Sequence, residues 1–176
     1  MSTRKSYDES CIRLQTDYLY SDIIPPIPNS MPKHDDPEPL GVSFFKTFVG
    51  EGDDLSNLTL PRTYFGKTEV NDANFTNTDF KESNLCWNNF LDVNFTNVIL
   101  SNCDMRSSIY TNVDFTGADL SGSDLRLSSF DFCKFENAKM DGTTLTHSQG
   151  SEIELSEDQK AKINWVDDAG DEPQGG

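Results

Sequence analysis

The twenty residues NDANFTNTDFKESNLCWNNF, numbers 71–90, decide the fold. Phe75, Phe80, Leu85 and Phe90 fall at every fifth position, and a second series of smaller residues, here Ala73, Thr78 and Ser83, stands two residues before them. Outward from this stretch the same register runs from Leu60 through Phe65, Val70, Phe95, Leu100, Met105, Tyr110, Phe115, Leu120, Leu125, Phe130, Phe135 and Met140 to Leu145 without a polar interruption. An unbroken run of that length is expected by chance about once in 10⁸ for a given register. Leu55 extends it by one, and the small series continues from Thr63 and Thr68 to Ala138 and Thr143, with only Leu58 exceeding its size limit. The other three positions of each five are mostly Asn, Asp, Ser, Thr, Gly and Lys, which places them on the outside.

A period of five matches neither the 3.6 of a helix nor the alternation of a strand, so a recurring turn must reset the chain. If each five residues make one side of a square coil, the large residue and the small one before it both point inward, and twenty residues complete a turn. Residues twenty apart then stack at the ~4.8 Å spacing of adjacent strands, so four and a half coils rise about 20 Å. Four sides follow. The first holds Phe75, Phe95, Phe115 and Phe135, an internal phenylalanine ladder, and the second Leu60, Phe80, Leu100, Leu120 and Met140. The third holds Phe65, Leu85, Met105, Leu125 and Leu145, and the fourth Val70, Phe90, Tyr110 and Phe130.

This pattern resembles the pentapeptide-repeat family, whose consensus is approximately Ala-(Asp/Asn)-Leu-x-x and which Ala118-Asp119-Leu120 matches outright. The resemblance implies an all-β solenoid, a right-handed quadrilateral β-helix over residues 55–150. It specifies the fold far more than the function, because the family serves several roles as a scaffold.

A repeat stack leaves apolar surface and backbone edges at both ends and needs caps. Before the repeats, Leu40, Val42, Phe44, Phe45, Phe48 and Val49 make residues 40–54 the expected N-terminal cap. After them, Ile153 and Leu155 read as a last partial repeat, and Ser156-Glu157-Asp158-Gln159 as a capping box opening a short helix, with Ile163, Trp165 and Val166 closing the end of a cap over 151–166. The acidic, Gly-rich stretch 167–176 is expected to be a disordered tail. Residues 1–39, with Pro-rich Ile24-Pro25-Pro26-Ile27-Pro28 and the polar His34-Asp35-Asp36-Pro37-Glu38-Pro39, read as an arm and linker.

The formal charge of −16, from 30 acidic and 14 basic residues, opposes direct binding to nucleic acid and favours basic partners. Twelve acidic against seven basic residues leave the repeat block itself at −5. Cys11, Cys86, Cys103 and Cys133 show neither CxxC spacing nor the density of a disulfide scaffold. No apolar run approaches membrane-spanning length and no signal-like stretch opens the sequence, so a cytoplasmic, non-membrane protein is expected.

Catalysis requires convergent groups, and the coil geometry separates the candidates. Cys86 and His147 lie about three coils apart, on the order of 14 Å. His34 sits in the linker, Cys103 and Cys133 in the small inward series. Asp79, Asp104, Asp114, Asp119 and Asp124 occupy the position before the large residue, where a carboxylate bonds turn backbone. With no phosphate loop, nucleophile elbow or metal cluster in the sequence, neither an enzyme nor a cofactor is expected.

The remaining signal is on the surface. Trp87, Leu91, Ile99, Ile109, Leu127 and Phe132 are large and apolar at outward positions, and all but Ile99 gather on or beside the fourth side. Clustered apolar residues around a tryptophan point to a protein-binding hot spot, with the N-terminal arm or a second copy of the chain as competing occupants. Two functions are expected from this and from the charge. The first is a bacterial immunity or inhibitor protein masking a basic toxin or other nucleic-acid enzyme. The second, which the family resemblance supplies, is a DNA mimic protecting gyrase in the manner of quinolone-resistance proteins. That mimicry wants a continuous acidic face, and the columns Thr59, Asp79, Ile99, Asp119, Lys139 and Asn74, Asn94, Asp114, Lys134 interrupt it.

Overall fold

The computed structural model describes residues 43–45, 48–50 and 52–168; the expected arm over 1–39 and nearly all of the expected tail lie outside these residues. Every strand is three residues long, as a side of a small square requires. In chain order they are β1 (Ser43–Phe45), β2 (Phe48–Gly50), β3 (Tyr64–Gly66), β4 (Glu69–Asn71), β5 (Asn89–Leu91), β6 (Ile109–Thr111), β7 (Ser129–Asp131), β8 (Thr144–Thr146) and β9 (Asn164–Val166), with the short helices α1 (His147–Glu152) and α2 (Glu157–Lys160) before β9.

All pairing is parallel. On the fourth side, β2, β4, β5, β6 and β7 form one sheet in which Val70, Phe90, Tyr110 and Phe130 stand in register. The other three sides are joined by single bridges twenty residues apart, such as Asn74 to Asn94 to Asp114 to Lys134. The solenoid makes about six turns rather than four and a half. Coils continue past both expected ends: β1 and β2 pair with β3 and β4 at an offset of twenty-one, and β9 pairs with β8.

The turn that resets the period is a residue in the left-handed region. Every fifth residue from Asn57 to Gly142 has φ between +51° and +70°. Only glycine, and to a lesser degree Asn and Asp, accept this conformation readily, and eleven of the eighteen corners carry one of the three. Gly117 and Gly122 are held there doubly, since a Cβ at either would collide with the side chain of Asn97 or Asn102 one coil below. The aspartates before the large residues serve the turns: Asp79, Asp104, Asp114, Asp119 and Asp124 each accept the backbone N–H two residues on.

Inside, the large series is buried from Leu55 to Leu145. Phe75, Phe95, Phe115 and Phe135 stack with centroids 5.3, 5.5 and 5.0 Å apart, and Phe90, Tyr110 and Phe130 form a second ladder at 4.9 and 5.1 Å. The small series tolerates hydroxyls because each finds backbone partners: Ser108 Oγ donates to the Leu85 carbonyl and accepts the Asn88 N–H, and Ser128 Oγ repeats the arrangement with Met105 and Ser108. Tyr110 breaks this economy: its buried hydroxyl makes no hydrogen bond of normal geometry among the described residues, although Ser108 lies close to it. Tyr110→Phe is therefore expected to leave stability unchanged or raise it by about 1 kcal/mol in urea denaturation, because the hydroxyl's desolvation is uncompensated.

The C-terminal end is closed by two matching devices. Thr146 and Gln149 form a capping box at α1, and Ser156 and Gln159 form the expected one at α2. Each glutamine also reaches into the last coils: Gln149 Nε2 donates to the Leu125 and Ser128 carbonyls, Gln159 Nε2 to those of Phe135 and Ala138. They supply donors that a following coil would otherwise bring. Gln159→Leu should lower stability by about 2–3 kcal/mol, since it removes both Nε2 bonds and the capping box and leaves the buried Ala138 carbonyl without a donor, while the Phe135 carbonyl keeps the Ala138 N–H; a change below 0.5 kcal/mol in the same denaturation measurement would count against this role.

Candidate protein-binding face

The fourth side is bounded by two rows of corners. Lys67, Trp87, Ser107 and Leu127 lead into it, and Asp72, Asp92, Asn112 and Phe132 lead out. Between them the outward positions of the strands are Glu69, Asn89, Ile109 and Ser129 in one row and Asn71, Leu91, Thr111 and Asp131 in the other. Trp87 is 70% exposed, Leu91 36%, Ile109 50%, Leu127 59% and Phe132 87%, and the pairing register brings all five to this one side and its edges. Ile99, at 38%, stands apart on the second side.

Three of the five occupy the least suitable backbone position in the fold. Trp87 (φ 60°), Leu127 (φ 62°) and Phe132 (φ 56°) sit in the left-handed corner conformation, where a bulky side chain costs roughly 1–2 kcal/mol relative to glycine. Their high exposure means that little packing within the chain offsets this.

Charge distinguishes the fourth side as well. On the other sides several acids are paired with cations, although Asp79 and Glu136 form no ion pair among the described residues. Arg106 grips Asp104 at 2.7 Å and Arg126 grips Asp124 at 2.8 Å on the third side; Lys134 faces Asp114 on the first and Lys139 faces Asp119 on the second. Burial works against ionisation of Asp104, but the hydrogen bonds from Arg106 and Cys86 together with the Arg106 charge outweigh it and hold the carboxyl below its usual range. On the fourth side Glu69, Asp72, Asp92 and Asp131 are exposed and form no ion pair among the described residues. Only Asp92 has a side-chain partner, the Asn112 amide at 2.6 Å.

Among the described residues no group of His, Cys, Asp and Glu is arranged to hold a metal, and no helix is long and apolar enough to cross a membrane. His147 stacks on Trp165 at 5.3 Å in the C-terminal cap. Burial, reinforced by Asp104, pushes the Cys86 thiol up to about 12, and burial, with the charges of Asp79 and Asp104 adding to it, does the same to Cys103. Cys133, expected inside, is only half-buried, because the chain above it leaves the repeat register and a groove opens along Ile153 and Leu155; burial still raises its thiol to about 11. That groove is rimmed by Lys134, Lys139, Lys160 and Lys162, each engaged with a carboxylate. At pH 8 the native thiols of Cys86, Cys103 and Cys133 should resist iodoacetamide at least a hundredfold better than the same residues in urea, because too little thiolate is present to react. Peptide mass spectrometry reads this site by site, and rapid native labelling of Cys86 would contradict it.

The sequence reading located the apolar cluster but missed the corner conformation beneath three of its members and the unpaired carboxylates around it. The first had a signal, the recurrence of Asn, Asp and Gly at every fifth residue. The second was legible only in part: the twenty-residue register stacks Asp114 on Lys134 and Asp119 on Lys139, but which acids lack a cation depends on side-chain reach between neighbouring columns as well.

Comparison with known proteins agrees with this architecture. The family described as pentapeptide repeats matches in eight copies, over residues 71–106 and 111–146. Among solved structures, the chain resembles a pentapeptide repeat protein from the thylakoid lumen of Arabidopsis thaliana (23% identity, 65% of this chain and 72% of that one, TM-score 0.42). It also resembles Rfr23 from the cyanobacterium Cyanothece 51142 (20%, 59% and 77%, TM-score 0.43). A third is QnrB1, a plasmid-mediated fluoroquinolone resistance protein (17%, 72% and 73%, TM-score 0.46). No curated protein matches the sequence.

Proposed function

We propose that this pentapeptide-repeat protein is a non-catalytic scaffold that binds another protein through its fourth side, and that it acts in the bacterial cytoplasm as an immunity or inhibitor protein covering the surface of a basic toxin. One observation carries the reading. Five of the six exposed large apolar residues stand on one side, three of them at corners where Asn or Gly would be easier to accommodate. Strain of this kind persists where it serves a role other than stability. The unpaired carboxylates of the same side favour a basic partner and would raise its rate of association.

Gyrase protection by DNA mimicry is the second reading, and the charge pattern weighs against it. A mimic of duplex DNA needs an unbroken anionic surface, whereas here Asp104, Asp114, Asp119 and Asp124 on the other three sides are paired with cations and the acids of the fourth surround apolar residues.

The test is affinity capture from lysate of cells carrying the gene, comparing the wild type, Trp87→Asp/Leu127→Asp and Ile99→Asp. Aspartate already occupies two corners of the solenoid, so the double variant retains a fold that can be checked by circular dichroism. Wild type and Ile99→Asp should each retain one stoichiometric basic protein, and the double variant should lose it by a hundredfold or more. Retention by the double variant sinks the proposed face, and recovery of gyrase subunits by all three would favour the DNA-mimic reading.

A further inference from the structure

We infer that the fourth side receives an α-helix of the partner, apolar along one stripe and basic along its flanks, laid parallel to the solenoid axis. The inference rests on the reading of this side as a protein-binding face and gives the partner a shape.

The layout of the five apolar residues is that of a shallow trough. Trp87 and Leu127 rise along one edge, two coils apart, with the small Ser107 between them; Leu91 and Phe132 stand at the opposite edge, also two coils apart. Ile109 lies between the edges on the intervening coil, in the row of Asn89 and Ser129. Two coil steps span about 10 Å. A helix is about 10–12 Å across with its side chains, and its i to i+7 repeat rises about 10.5 Å. A stripe at i, i+4 and i+7 therefore meets the trough at the spacing at which its own apolar residues recur.

Backbone chemistry favours the same element. β4, β5 and β6 each pair with a neighbouring coil on both sides, so the body of this face offers no edge to which an extended segment could add as a strand; β7, the last strand of the sheet, lies at the end of the trough. A helix satisfies its own backbone and brings only side chains.

Charge selects the basic flanks and disfavours the other occupants. Glu69 lies beyond one end of the trough and Asp72, Asp92 and Asp131 lie along one edge, with Lys67 the only cation at its corners. A second copy of the chain would set these carboxylates against themselves. Residues 1–42, with seven acidic and four basic residues, bring the same sign of charge.

The experiment uses an 18-residue N-acetylated, fluorescein-labelled peptide with Leu at i, i+4, i+7 and i+11 and Lys on both flanks. Its comparator has the same composition in an order that destroys the stripe. Anisotropy should show the striped peptide binding the full-length protein at least tenfold more tightly than the comparator. Trp87→Asn/Leu127→Asn/Phe132→Asn, verified as folded by its urea midpoint, should reduce the striped peptide to the comparator's affinity. Equal binding of the two peptides, or undiminished binding by the triple variant, overturns the inference. If the triple variant loses the captured partner while wild type shows no preference for the stripe, the binding face stands and the helix falls; if the triple variant keeps both partner and peptide, both fall.

Discussion

Phe95→Ala should lower the free energy of unfolding by about 3–5 kcal/mol, the range for truncating a fully buried phenylalanine. Phe95 is inaccessible to solvent and lies between Phe75 and Phe115 in the first ladder, with Phe90 of the second ladder 5.6 Å away. Collapse into the resulting cavity is opposed on every side, because each coil is pinned to the next by backbone bonds such as Phe95 N–H to the Asp114 carbonyl and Asn94 N–H to the Ala73 carbonyl. Phe95→Leu, which keeps most of the volume, should cost less than half as much. Urea denaturation followed by circular dichroism measures both. A loss below 1 kcal/mol for the alanine variant would mean that the ladders do not organise the core.

The second large effect has the opposite sign. Replacing Trp87, Leu127 and Phe132 together by asparagine should raise stability by about 2–4 kcal/mol, roughly 1 kcal/mol per corner, because Asn tolerates the left-handed conformation that bulky residues resist. For a domain of this size the midpoint of thermal unfolding should rise by about 4 °C per kcal/mol. Little is lost in exchange, since the three side chains are 59–87% exposed. The same variant should lose its partner. A gain in stability coupled to a loss of binding is the signature of residues retained for recognition. If the midpoint fell instead, these side chains would have to pack within the chain, and the binding face would lose its support.

Much of the interior was legible in the sequence because a five-residue period leaves few alternatives. The inward positions follow from one register, and that register holds from Leu55 to Leu145. The ends were less legible. The pattern Thr146-x-x-Gln149 is the same capping signal as Ser156-x-x-Gln159, but it directly follows Leu145, the last member of the large series, and so reads as repeat rather than as the start of α1. The second role of Gln149 and Gln159, donating to the carbonyls of the last coils, depends on contacts 21 and 24 residues apart that no local pattern encodes. The apolar members of the candidate face were legible as breaks in the outward polar rule. Their arrangement as a trough, and the isolation of Glu69, Asp72, Asp92 and Asp131 from cations, arise only when the coil sets columns side by side.

The central claim, that the fourth side is the surface this protein uses, is tested most directly by ¹⁹F NMR of the chain labelled with 5-fluorotryptophan. The sequence contains two tryptophans, so two signals arise, Trp87 from the candidate face and Trp165 from the C-terminal cap. On titration with the captured partner, the Trp87 signal should shift or broaden to saturation at one equivalent while that of Trp165 stays in place. A complex that forms with the Trp87 signal unmoved would contradict the account.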